Sequence, residues 1–131
     1  MAAVGRETTL TPSQAIVWTA LIKELRERAR RGGAATGLTV EELSKMLKAS
    51  KSRVRAVLAE LRREGLAESR PKPLSELGLA APGRRFREKV WATTIDPLDD
   101  EAIRRVVRER GIDRILGERG VNIWELLEIR P

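Results

Sequence analysis

The stretch from Leu38 to Ser69 reads L-T-V-E-E-L-S-K-M-L-K-A-S-K-S-R-V-R-A-V-L-A-E-L-R-R-E-G-L-A-E-S. Thr39 and Glu42 stand at capping-box spacing, and Leu38 can staple onto Leu43, so a helix opens near residue 40. Leu43, Met46 and Leu47 give it one apolar stripe. Lys48-Ala49-Ser50 then interrupts that stripe near residue 48. Ser50 caps a further helix over about 51–64. Val54, Val57, Leu58 and Leu61 recur at helical spacing as its inner side, and Gly65 sits where a C-terminal glycine belongs.

Working outward, Thr11-Pro12-Ser13-Gln14 combines an N-cap, a proline at the first helical position and a capping-box glutamine. The helix it opens, about 12–31, carries Ala15, Trp18, Ile22, Leu25 and Ala29 on one stripe, with Val17 and Leu21 beside it. Gly32 and Gly33 end it, and Gly32–Gly37 reads as a flexible connector. Downstream, Leu66–Arg70 and Phe86–Ile95 read as two strands paired antiparallel across a Pro- and Gly-rich loop, a hairpin over about 66–95. Phe86, Val90 and Trp91 are expected to anchor it against the helices. Asp96 caps a further helix with Pro97 at its first position; Ile103, Val106 and Val107 form the apolar face and Gly111 stops it. A helical turn near Asp113–Leu116 follows. The segment Val121–Ile129 is read as helix, Asn122 and Glu125 having capping-box spacing. The fold class is mainly α with a small β-hairpin (α+β). Residues 1–95 form one unit and 96–131 a C-terminal helical extension.

The 131 residues hold 26 Lys+Arg against 19 Asp+Glu, a net charge of +7. The excess is uneven. Residues 1–95 carry 19 basic and 10 acidic side chains, whereas 96–131 carry 7 and 9. A polyanionic partner is therefore expected for the first region. Cysteine, histidine and tyrosine are absent, which removes disulfides, thiol nucleophiles, Cys- or His-ligated metals and His-based triads. One Phe and no Tyr leave little for base stacking, so Trp18, Trp91 and Trp124 are read as core or interface residues. The acidic run Asp96, Asp99, Asp100, Glu101 is read as helix capping and dipole complement rather than a metal site. Gly32–Gly37 lacks the G-K-[ST] ending of a phosphate loop. An enzyme is not expected, nor any cofactor, metal or identifiable small-molecule effector. With no apolar run long enough to span a bilayer and no signal-like N-terminus, a cytoplasmic, nucleoid-associated protein is expected, with no membrane partner. Arg outnumbers Lys 20 to 6 and amides are scarce, which fits either a thermophilic source or a GC-rich genome.

A short helix, a tight turn and a second amphipathic helix form a helix-turn-helix pattern. Together with the preceding helix and the following hairpin, residues 10–95 resemble the winged helix-turn-helix domains of prokaryotic and archaeal regulators, nearest the MarR and ArsR groups. Leu38–Ser69 carries the likeness. It implies that Ser50, Lys51, Ser52, Arg53 and Arg55 face DNA, and that Arg84, Arg85, Arg87 and Lys89 form the wing. Lys51, Ser52, Arg55, Ala59 and Arg62 make up the outer face of the 51–64 helix. The wing loop, about 71–85, is longer than compact wings, its Leu74, Leu77 and Leu79 point to a packed or partner-binding element, and the extension after Asp96 has no assigned counterpart.

The expected function is a sequence-preferring double-stranded DNA-binding protein, a small transcriptional regulator. Helix 51–64 would read the major groove and the basic wing the backbone or minor groove. A homodimer is expected, because one such motif binds modestly alone. Its surface would be the first helix and the tail side chains Ile103, Val106, Val107, Trp124, Leu126 and Leu127, unless the tail folds back on its own domain. The alternatives are a winged-helix protein–protein interaction adaptor in a replication or transcription complex, and a binder of double-stranded RNA or tRNA.

Overall fold

The computed structural model describes residues 9–32, 37–71 and 89–131. The chain is mainly helical with a small two-stranded antiparallel sheet. In chain order the elements are α1 (Pro12–Arg30), α2 (Val40–Leu47), α3 (Lys51–Arg63), β1 (Ala67–Pro71), β2 (Lys89–Thr93), α4 (Asp100–Glu109), α5 (Ile112–Gly117) and α6 (Ile123–Leu127). No described helix is long and apolar enough to cross a membrane.

The anticipated caps form. Thr11 Oγ1 accepts the N–H of Gln14 while Gln14 Oε1 accepts the N–H of Thr11, and Thr39 and Glu42 repeat this at α2. Each pair satisfies two backbone donors that the first turn leaves over. Ser50 caps α3 through the N–H of Arg53, and Asn122 caps α6 through the N–H groups of Trp124 and Glu125.

α1 is the central rod. Its stripe Ala15, Trp18, Leu21, Ile22 and Leu25 is buried against Val54, Leu58 and Leu61 of α3, Leu38 and Leu43 around α2, and the sheet. Burying such a stripe is what stabilises a helix of this length, at about 1.5–3 kcal/mol for each large apolar side chain. Met46 departs from expectation: it is 43% exposed, although its neighbour Leu47 packs against the core.

The strands pair in the register Ala67↔Thr93 to Pro71↔Lys89. Val90 is buried as anticipated and Trp91 half-buried; Phe86 lies outside the described residues. Leu38 adds a bridge to the same strand, exchanging both backbone bonds with Trp91 at 2.7 and 2.8 Å. That bridge corrects the reading of Gly37 as part of a slack connector. A Cβ on Gly37 would lie 2.7 Å from the Trp91 carbonyl oxygen, so the glycine is there to let two backbones approach.

The segment after β2 also differs from expectation. Asp96 does not cap a helix. Its carboxylate accepts the N–H of Leu98 and its carbonyl that of Asp99, making a turn, and Asp99 caps α4 one turn later. The acidic run is thus divided among turn, cap and ion pair. Buried Arg26 of α1 donates from Nη1 to Asp100 Oδ1 at 2.8 Å and to the Pro97 carbonyl at 2.9 Å. This guanidinium holds the turn and the start of α4 against α1.

The extension folds back. Ile103, Val107, Ile112, Leu116, Ile123, Leu127 and Ile129 join the same core as α1. Arg110 donates to the Glu64 side chain and carbonyl at the end of α3, and its own carbonyl accepts the N–H of Leu10. Of the tail side chains offered as a dimer surface, Ile103, Val107 and Leu127 are buried inside the chain. Val106 and Trp124 are half-buried, Trp124 lying under Arg108 at 5.7 Å. Leu126 alone of the six remains exposed.

Candidate nucleic-acid interface

The turn between α2 and α3 is held by Ser44. Its hydroxyl donates to the Ala49 carbonyl, and its own carbonyl accepts the N–H of Ala49. Lys48 closes α2 in the left-handed conformation, φ 54° and ψ 44°, which a lysine adopts only at a cost of about 1–2 kcal/mol. Any glycine would fit there more easily, and the lysine places an exposed cation in the turn.

On α3, Val54, Val57, Leu58 and Leu61 face inward. Lys51, Ser52, Arg53, Arg55, Ala56, Arg62 and Arg63 are exposed, as is Ser50 at the cap. The extension that packs behind α1 covers none of them. Ala59, expected on the outer face, is half-buried, and Ala56, missed in the sequence, is exposed in its place; its position one turn beyond Ser52 is the signal that could have marked it. Lys48 was missed because it reads as a helix break.

Lys51 and Arg55 line one groove of about 470 Å³ with Lys89 of β2, Trp91, and Thr39, Val40 and Glu41 at the start of α2. The structure therefore brings three of the anticipated site residues, from two distant stretches of chain, to a single cleft. Ser50, Ser52, Arg53 and Arg62 lie along the helix outside it. Arg84, Arg85 and Arg87 fall outside the described residues.

The cations of this face differ from those of α1. Every cation of α1 has a carboxylate: Lys23 with Glu27, Arg26 with Asp100, Arg28 with Glu24 and Glu42, and Arg30 with Glu128. Lys48, Lys51, Arg53, Arg55, Arg62, Arg63 and Lys89 make no ion pair among the described residues. The acids late in α3 are engaged inward, Glu60 accepting from Gln14 and Glu64 from Arg110. Arg62 and Arg63 are explained by the helix itself, since cations are favoured at the C-terminal end of the dipole. Lys51, Arg53 and Arg55 are not. Lys51 and Arg53 stand in the first turn of α3, which holds no acid, and oppose the dipole; Arg55 follows in the next turn without a carboxylate partner. Arg53 even occupies the position three after the cap where Gln14 and Glu42 complete the boxes of α1 and α2. The local fold would be served better by the opposite charge.

No family model, curated protein or solved structure matches the chain.

Proposed function

We propose that the chain is a sequence-preferring double-stranded DNA-binding protein, a small cytoplasmic transcriptional regulator of winged helix-turn-helix type. The observation that carries this reading is the unpaired cationic start of α3, where Lys51 and Arg53 sit against the helix dipole and Arg55 follows them, all three with no internal counter-charge. Such an arrangement lowers the stability of the free protein and is offset when phosphates arrive. Phosphate contacts from Lys48, Arg53, Lys89 and the basic run at 84–87 supply most of the affinity. Arg55 and Lys51, on the groove side, reach base edges, and the small side chains of Ser52 and Ala56 permit close approach.

The test is fluorescence anisotropy on duplex DNA at several salt concentrations, with A-form RNA as competitor. Binding should weaken steeply with salt, and duplex RNA should compete poorly. Ala56→Glu, which puts a carboxylate on an exposed mid-helix position, should weaken binding by about tenfold or more while leaving the fold intact. A protein that binds no duplex at low salt defeats the proposal. It favours instead the interaction adaptor, with the same cationic face set against an acidic protein.

A further inference from the structure

The groove between α2, α3 and β2 holds more than a phosphate-tracking surface needs. Lys51, Arg55 and Lys89 line it, all three exposed and without an ion pair among the described residues. So do the half-buried indole of Trp91 and the carboxylate of Glu41. A DNA backbone calls only for the cations, and a carboxylate in the same concavity repels its phosphates. Glu41 is not required by the helix it opens, because Glu42 already completes the cap of α2. Its ion-pair partner is Lys45, one turn along the same helix at 3.8 Å, an exposed pair that exchanges at little cost.

The setting is fixed by the backbone. Leu38 and Trp91 exchange both backbone bonds, which ties the strand carrying the indole to the residue before the cap of α2. The groove's volume of about 470 Å³ falls within the roughly 300–1,000 Å³ of small-molecule sites. Cations, an aromatic ring and one acceptor-only group together match a ligand with an anionic end and a flat, donor-bearing end.

We propose that this groove is a binding site for a free purine mononucleotide. Lys51, Arg55 and Lys89 take the phosphate, the indole of Trp91 stacks with the base, and the Glu41 carboxylate accepts from the base's edge. A carboxylate only accepts, so guanine, with adjacent donors at N1 and its exocyclic amine, is favoured. Displacement of DNA rests on the reading of α3: Lys51 and Arg55 cannot hold a nucleotide and a duplex together, so each ligand weakens the other. No effector is legible along the chain, since Glu41, Arg55 and Trp91 meet only in the fold.

Isothermal titration of the full chain without DNA tests the site, with guanosine monophosphate, inosine monophosphate and inorganic phosphate as probes. Guanosine monophosphate should bind one to one, about tenfold or more tighter than inorganic phosphate and several-fold tighter than inosine monophosphate, which lacks the amine. Arg55→Ala and Lys89→Ala should each weaken it by about fivefold or more. Glu41→Gln should erase the preference for guanosine over inosine monophosphate with far-ultraviolet circular dichroism unchanged. Guanosine monophosphate should also raise the apparent Kd of a labelled duplex in proportion to its concentration. Binding no tighter than that of inorganic phosphate overturns the proposal, as does a Glu41→Gln chain that keeps the preference, or a nucleotide that leaves a bound duplex in place. Duplex binding that persists in those cases leaves the reading of α3 standing. A chain that binds guanosine monophosphate with the expected preference but no duplex at low salt supports the site and defeats that reading.

Discussion

Ser50 Oγ accepts the backbone N–H of Arg53 at 3.2 Å, closing only half of a capping box whose other half the guanidinium cannot make. The first prediction follows from that half-box. Arg53→Glu should raise stability by about 0.5–1.5 kcal/mol, through the reciprocal bond and the restored dipole complement. It should lower duplex affinity by about tenfold or more. Urea denaturation followed by tryptophan fluorescence, beside anisotropy titration, checks both halves. Lower stability would show that the arginine serves the fold rather than a ligand.

Arg55 and Lys89 line one groove yet have different expected roles, so they separate base reading from phosphate binding. Arg55→Ala should narrow the gap between preferred and random duplexes by about 1–3 kcal/mol. Lys89→Ala should weaken all duplexes alike and reduce the salt slope by about 1. Equal, sequence-blind losses from both would remove Arg55 as a base reader.

Arg26 is 3% exposed and Asp100 47%, so the two ends of this pair are unequal. Arg26→Ala should cost about 3 kcal/mol, because it strands the Pro97 carbonyl and removes the clamp on α4. Asp100→Ala should cost less, the guanidinium keeping its carbonyl partner. In a double-mutant cycle by chemical denaturation the two losses should not add. Additivity would mean that the contact contributes nothing to the fold.

Gly37→Ala should destabilise by about 1–3 kcal/mol, since the new Cβ meets backbone rather than a side chain that can swing away. Thermal melting reads it. Gly32→Ala, at a φ of 73° in open space, is strained only through its own backbone and so reports a different cost. A neutral Gly37→Ala would place the Leu38–Trp91 bridge wrongly.

Burial alone would raise the carboxyl pKa of Glu42, but hydrogen bonds from Arg28 and the Thr39 backbone outweigh it and hold the group below its ordinary value. A lowered folded-state pKa means stability present above the unfolded value and lost as pH falls through the folded one. Wild type should therefore exceed Glu42→Gln in stability at neutral pH, with the gap closing below about pH 4. Acid titration of both by tryptophan fluorescence measures it. A gap that persists at low pH would show that charge is not its source.

Much of the helical framework was legible because its signals are local. Thr11/Gln14, Thr39/Glu42 and Ser50 mark helix starts by spacing within one turn, and the apolar periodicity of α1 and α3 names the side that must be buried. The start of α4 was misread for the same reason: Asp96-Pro97 has the local form of a cap, but so has Asp99 three residues on, and it is Asp99 that accepts the N–H of Ala102 while Asp96 closes the preceding turn. Met46 fits its stripe by spacing and is nevertheless exposed, since its burial depends on what stands opposite.

The residues alone determined that α3 would carry a cationic outer face, because charge and helical phase are both written in the order of side chains. Tertiary packing alone decided which cations remain unpaired, that Lys89 joins Lys51 and Arg55 at one groove, and that the tail is consumed by the core. Those outcomes depend on which distant groups meet, and no spacing along a chain encodes the distance between two helices folded against a third.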